Sequence, residues 1–498
     1  MHMLNNDRGS LLMISYALIF ILLAFGAAAV ILVVNDSKSV EWQKRTAQAF
    51  YVAEAGIERA MYDLKQDFIN DPSQPSFSDG AINSYAIGPN TTGFYPIPYS
   101  NNSLNGGSYT VTLKNITGVS DAVWVRSTGG IGNTTQTIEV YPKLVRLSVW
   151  DNAIFAGRGA SGRMINGNVN IAGSVHILGS NLSSWDYAVD LGGTADIVKN
   201  NYGGLDPALA ARVPALPTTN FNGETVSTLN AKLRVKHGKV GLSGAAGAGE
   251  ADAAGNAVKE TVDEVHVTDG FGGNKGSSQV YSDNGWSNTY DLGNSVPFPS
   301  LSDPHAGYPT YQQYLRANAL VINDAAELAE LANLTPNSNF NYSGANGAVS
   351  MDGNGNLAIS GIVYIEGGDL NFNKAGSKKT ITYAGTGALL TTGSAQINVN
   401  LVTSGNNSFP TNILGLMTPN NITMNEANID VMGLFYAENT VTVQKQTDIM
   451  GTIVGNYFDM GTNVPAIFQV PETVNHLPPG MIGADAEWML EIVSWQKL

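Results

Sequence analysis

The chain has 498 residues, 41 of them acidic against 26 basic, and its net charge of −15 argues against a nucleic-acid surface, which needs concentrated Lys and Arg. It contains no cysteine, so disulfides, thiol nucleophiles and Cys-ligated zinc or iron–sulfur centres are excluded, and its six scattered histidines argue against a histidine metal site. With 55 glycines, only 13% charged residues and many Asn and Thr, the composition points to β structure in a chain long enough for one large domain or two.

The first element follows Arg8-Gly9-Ser10. Residues 11–34 carry no charge and are long enough to cross roughly 30 Å of hydrocarbon as a helix, at about 1.5 Å per residue. A secretory signal has an apolar stretch of only about 7–15 residues. A cut at Ala27-Ala28-Ala29 would also leave Val30-Ile31-Leu32-Val33-Val34 as an apolar new N-terminus. A short polar leader, a basic-Gly junction and a helix that stays with the protein fit better, and that is the layout of a prepilin. Beyond Val34 no proline occurs until Pro72. Phe50, Ala53, Ile57, Ala60 and Leu64 recur at spacings of 3, 4, 3 and 4, on one helical face. Glu41, Lys44, Arg45, Glu58, Arg59, Asp63 and Lys65 fall mostly elsewhere around the helix. A helix over 11–69 would be some 90 Å long, half in a membrane and half leaning on a globular domain. This periodicity suits an assembly helix and a plain single-pass anchor equally.

Gly9-Ser10-Leu11-Leu12, followed by Ala49-Phe50-Tyr51-Val52-Ala53-Glu54-Ala55-Gly56-Ile57-Glu58-Arg59-Ala60, resembles the N-terminal region of PilX-like type IV pilus assembly proteins, over about 60 residues. The resemblance implies cleavage by a prepilin peptidase between Gly9 and Ser10, and lateral packing of the helix against other pilin or pseudopilin subunits. Phe50, Ala53, Glu54, Ala55, Gly56, Ile57 and Ala60 are the assembly-helix residues it marks. Major pilins usually carry a glutamate at the fifth mature position, where Ile14 stands here. A buried acid costs a few kcal/mol unless paired, so its absence eases insertion and removes one docking contact. A minor subunit is therefore expected over an abundant shaft subunit. Arg8 on one side of the membrane segment and Lys38, Lys44 and Arg45 on the other do not by themselves place the leader in the cytoplasm. The prepilin-like junction places it there.

Residues 71–107, rich in Pro, Ser, Asn and Gly, read as a linker. Alternation then predicts strands at 109–113, 122–126 and 137–141, with a hairpin turn in Gly129-Gly130-Ile131-Gly132-Asn133. In the C-terminal third Gly361, Gly387, Gly415, Gly433 and Gly451, spaced by 26, 28, 18 and 18 residues, each open a short apolar strand. A second alternating strand follows each about eight residues later. One such coil cannot bury its apolar row alone, so the pattern predicts a parallel β-solenoid, with a β-sandwich as the alternative. Ala153-Ile154-Phe155-Ala156-Gly157, Val169-Asn170-Ile171 and Val175-His176-Ile177-Leu178 read as first coils. Between them and the late coils lies an insertion with a flexible Gly/Ala tract at 241–255 and a helix over 311–332. Ile492-Val493-Ser494-Trp495 reads as a closing strand that caps the body.

Little in the sequence suggests chemistry. Asp352, Asn354 and Asn356 have the rhythm of a calcium loop, but Leu357 stands where its glycine would be and Val363 where its glutamate would be. An Asn-Gly turn explains them as well. Glu366 with Asp369, and Glu426 with Asp430, have the spacing of glycosidase carboxylates, which chance also supplies among 41 acids. Gly272-Gly273-Asn274-Lys275-Gly276 lacks the ending of a P-loop, and Tyr281, Trp286 and Tyr290 read as a glycan-binding patch or as packing.

The expected protein is α+β, mainly β: leader 1–9, transmembrane and assembly helix 10–70, linker 71–107, β meander 108–146, first coils 147–185, insertion 186–350, β-solenoid 351–475 and cap 476–498. Its expected role is a minor pilin-like subunit of a type IV pilus or pseudopilus, not an enzyme, in assembly, priming and surface adhesion. The inner membrane holds it by a single pass with an extracytoplasmic body, which reaches the cell surface on assembly. Expected partners are the prepilin peptidase, other pilin subunits and a surface glycan, with no cofactor and no nucleic acid. The alternative is a membrane-anchored carbohydrate-binding or carbohydrate-cleaving protein.

Overall fold

A computed structural model of the chain describes all residues except 1–6, 71–80, 83–84, 87–90, 118, 161–164, 286–288, 291, 293–294, 444, 461–464 and 485–486. Most of the leader and much of the linker therefore lie outside the described residues. The protein is mainly β, with one long N-terminal helix and a large sheet body. It divides into two compact units, Met1–Arg146 with Trp488–Leu498, and Leu147–Glu487.

The first unit is built on the helix Asp7–Asn70, 64 residues and about 95 Å long. Its later turns pack on an antiparallel sheet of Gly107–Ile116, Val119–Ile131 and Thr134–Leu147, which contains the three expected strands. Gly132, at φ 57°, and Asn133 make the tight turn between Ile131 and Thr134. Strand alternation turns Tyr109, Val111, Leu113, Val123, Val125, Ile138 and Val140 into one core with the helix.

The strand Glu487–Lys497 completes this sheet beside Thr134–Leu147. The cap expected over 476–498 is thus corrected: its strand belongs to the first unit, and the whole body is inserted between two neighbouring strands of that unit. Leu490 packs on the first unit's core, Gln496 donates to the Glu139 carboxylate at 2.8 Å, and the Leu498 amide donates to the Thr137 carbonyl at 3.0 Å.

The body is a 21-stranded sheet with smaller sheets beside it, and most of its ladders are parallel. Val363, Leu389, Leu416, Phe435, Ile453, Ile154, Val175, Leu233 and Val265 pair in succession, forming one continuous column in which every member is buried. Such stacking is what lets short strands bury an apolar row that none could bury alone. The glycines of the repeat meet in register at Gly361–Gly387 and Gly433–Gly451, and slip by one residue at the two intervening steps.

The order along the column departs from the sequence reading in two ways. The early strand Ile154–Ala160 lies beside the last repeat, Thr447–Asp459, rather than ahead of the first. Residues 186–350 are also not one insertion, because Lys232–Val235 and Glu264–Val267 extend the column beyond Val175–Ile177. The expected flexible tract 241–255 contains ladder strands, Lys239–Leu242 and Gly247–Ala248. The expected helix over 311–332 is two short helices, Tyr311–Ala317 and Ala325–Leu331, capped by Thr310 and Asp324 and separated by the strand Leu320–Ile322. Between the column's two ends the chain runs through 268–319, where the Phe298 ring stacks on Phe155 and Tyr436, and Tyr436 donates to the Pro299 carbonyl at 2.7 Å.

Candidate functional site

Among the described residues one helix is long and apolar enough to cross a membrane. Its large apolar side chains from Leu11 to Val34 are all exposed, Ile14 among them. The uncovered half is a candidate membrane anchor.

From Ala49 onward the helix changes character. Ala49, Val52, Ala53, Ile57, Ala60 and Leu64 are buried, as is Gly56, while Phe50 and Ala55 are half-buried. Each large aliphatic member of this stripe contributes about 1.5–3 kcal/mol through burial. The expected periodic face is therefore the face that meets the chain's own sheet, so Ala53, Gly56, Ile57 and Ala60 are not free to pack against another subunit. Glu54 is exposed, with Tyr51, Glu58, Tyr62 and Lys65. Gly9 and Ser10 lie within the first turns of the helix.

Two glycines set the close approach of helix and sheet. A β-carbon on Gly56 would stand 2.2 Å from the Ser127 hydroxyl, and one on Gly129 would stand 2.3 Å from the Ala53 nitrogen and 2.4 Å from the Ala49 carbonyl. Gly129 is invisible to a helical-periodicity reading because it belongs to the sheet side of the contact. Arg59 anchors the helix laterally: its guanidinium lies 4.0 Å over the Tyr99 ring and donates to the Asn101 carbonyl at 2.6 Å. Phe50 meets the Trp495 ring edge at 6.0 Å, with Lys497 5.6 Å above Phe50.

Most residues of the other expected sites are engaged in contacts within the chain. Asp352 Oδ1 accepts from the amides of Asn354 and Asn356 at 2.8 and 3.1 Å, and Oδ2 accepts from Asn356 Nδ2 at 2.7 Å. These bonds hold its carboxyl down to about 2 and shape the turn between Gly347–Asp352 and Asn356–Ile365. Among the described residues no three His, Asp or Glu side chains gather as a metal-holding group.

Glu366 receives a two-point contact from Arg316, both bonds 2.9 Å, and Glu426 pairs with Lys374 at 2.8 Å. These cations hold both carboxyls below their ordinary value, whereas a general acid needs a raised one. Asp369 accepts from the Ser394 amide at 2.8 Å. Of the aromatic patch, Tyr281 and Tyr290 are exposed, Tyr290 stands edge-on to His266 at 4.4 Å, and Trp286 lies outside the described residues.

Asp430 and Asp448 are in register on adjacent parallel strands. Burial first, then the charges of Asp430 and Asp206, push Asp448 up to about 6 from an ordinary 3.8. The folded state therefore binds this proton more readily than the unfolded chain, and stability declines as pH rises from about 4 to 6. Asp448→Asn is expected to raise the body's melting temperature by about 1–3 °C at pH 7 and to leave it nearly unchanged at pH 4. Equal shifts at both pH values would show that this carboxyl does not titrate in that window.

The fold is similar to the crystal structure of the competence-associated pilin ComZ from Thermus thermophilus, with a TM-score of 0.50 and 18% identity, over 91% of this chain and 97% of that one. No family model matches the chain, and no curated protein matches it.

Proposed function

We propose that this chain is a minor pilin-like, PilX-like subunit of a type IV pilus or pseudopilus. The observation that carries the reading is the contrast along one helix: its later turns are clamped on their own sheet, while its large apolar side chains from Leu11 to Val34 are exposed. Apolar area of that extent needs a bilayer before assembly and neighbouring helices afterwards. A prepilin peptidase cuts between Gly9 and Ser10, the helix leaves the inner membrane, and it packs beside other pilin helices. The body then stands outside the cell, where it primes assembly and meets a surface. Its role is structural: one carboxylate of each pair that would suit glycan cleavage, Glu366 or Glu426, is engaged by Arg316 or Lys374.

The absence of cysteine makes a clean test possible. A single Ala28→Cys chain, expressed in cells making the fibre, labelled there with a thiol-reactive benzophenone and irradiated, is expected to cross-link through the apolar helix to a second pilin-class subunit. Glu224→Cys, on an exposed hairpin of the body, should not. Cross-linking at neither position, with the chain absent from purified fibres, would refute assembly through this helix.

A further inference from the structure

Trp185 is 80% exposed, more than any other large apolar side chain described, including those of the apolar helix. It does not project from a loose loop. Asp186 Oδ2 accepts from both the amide and the hydroxyl of Ser183 at 2.8 Å, and the Asp186 carbonyl accepts from the Lys239 amide at 2.7 Å. The Lys239 ammonium sits 4.6 Å from the centre of the indole. Tyr187, 42% exposed, pairs in register with Lys239 on the neighbouring parallel strand.

The Tyr187 ring lies against Gly241 and Gly272, where β-carbons would come within 3.2 and 3.0 Å of it. These glycines leave a flat backbone floor beside the ring. Asp190, on the same strand as Tyr187, borders Gly241. The arrangement is an indole on an ordered turn, a second aromatic ring, one carboxylate and one ammonium on the outside of a stack of parallel strands.

We infer that Trp185, Tyr187, Asp190 and Lys239 form a binding site for a polysaccharide chain. The apolar C–H face of a sugar stacks on an aromatic ring, and its hydroxyls pair with the carboxylate and ammonium. A protein partner would call for an apolar interface core, whereas this ring carries the Lys239 ammonium and rises from a polar turn closed by Ser183 and Asp186. A single-stranded nucleic acid would call for a basic track. The turn and the strand that follows it carry Asp186 and Asp190 instead, in a chain of net charge −15. Ordering the turn that carries the indole beforehand removes part of the ordering cost of binding.

The inference deepens the reading of the body as a surface-contacting element. It is tested without reference to the fibre, so that failure here leaves the pilus reading standing, and the reverse. The full chain in detergent is titrated calorimetrically with chitohexaose, cellohexaose, a hexagalacturonate and an oligo-dT strand. At least one hexasaccharide is expected to bind. Trp185→Ala should weaken it about tenfold or more, with the melting curve unchanged because the ring is exposed. The near-isosteric Asp190→Asn should weaken it as well. Absence of binding by all three hexasaccharides, equal binding by both variants, or binding of oligo-dT alone would overturn the inference.

Discussion

Gly129→Val is expected to detach the long helix from its sheet. A β-carbon at this position meets the helix backbone itself, at 2.3 Å from the Ala53 nitrogen and 2.4 Å from the Ala49 carbonyl, so no side-chain rotation relieves the contact. The helix must move outward, uncovering Ile57, Ala60 and Leu64, and the cost is about 3 kcal/mol or more. The adjacent Gly130 is the internal control, because a β-carbon there meets nothing closer than 3.6 Å and Gly130→Ala should be nearly neutral. Limited proteolysis of the purified full chain reads the difference. Gly129→Val should be cleaved within Val119–Ile131 under conditions that leave Gly130→Ala intact. Equal resistance of the two variants would mean that the helix is not seated on this glycine.

Removing Trp488–Leu498 should have a comparable effect on the first unit and little on the body. The deleted strand supplies Leu490 to the core, covers the edge of Thr134–Leu147 and brings Gln496 to Glu139. Loss of that burial and of the ladder hydrogen bonds costs about 3 kcal/mol or more. Calorimetry of the truncated chain should resolve an early transition for the first unit, with the body's transition left in place, since the two are separate compact units. A single unshifted transition would place the C-terminal strand outside the first unit's cooperative fold.

That second prediction arises from a feature the sequence concealed. The helix and the meander were legible because their signals are local: a 3.6-residue period from Phe50 to Leu64, strict alternation at 109–113, and glycine at a tight turn. Repeat glycines spaced 18 residues apart likewise announced parallel stacking over 429–459. Ile492-Val493-Ser494-Trp495 is a recognisable strand, but nothing local says which sheet it joins, and its partner Thr134–Leu147 lies more than 300 residues earlier. Lys232–Val235 and Glu264–Val267 escaped the repeat because their outward positions hold Lys232, Arg234, Glu264 and His266, in place of the Asn and Thr of the later coils. Ion pairing of Lys232 with Glu264 at 3.1 Å explains why charge is tolerated there.

For the site, the helical face was legible, and so was a globular domain for it to lean on; what periodicity alone left open was how much of that face the domain takes from other subunits. Periodicity identifies a face that must be covered, and it cannot say whether the cover is the same chain or another. The structure gives Ala53, Gly56, Ile57 and Ala60 to the chain's own sheet and leaves the segment between Leu11 and Val34 uncovered. The presentation of Trp185 depends on a turn closed by Ser183 and Asp186 and on a lysine more than fifty residues away, which no spacing rule would connect.

The pilin-like reading meets its most direct test at the N-terminus. Mass spectrometry of the chain purified from native cells, and from cells lacking the prepilin peptidase, would decide it. A mature terminus at Ser10, found only when the peptidase is present, is the predicted result. An intact Met1 in both strains would contradict the account and leave a membrane-anchored β protein whose helix serves only as a tether.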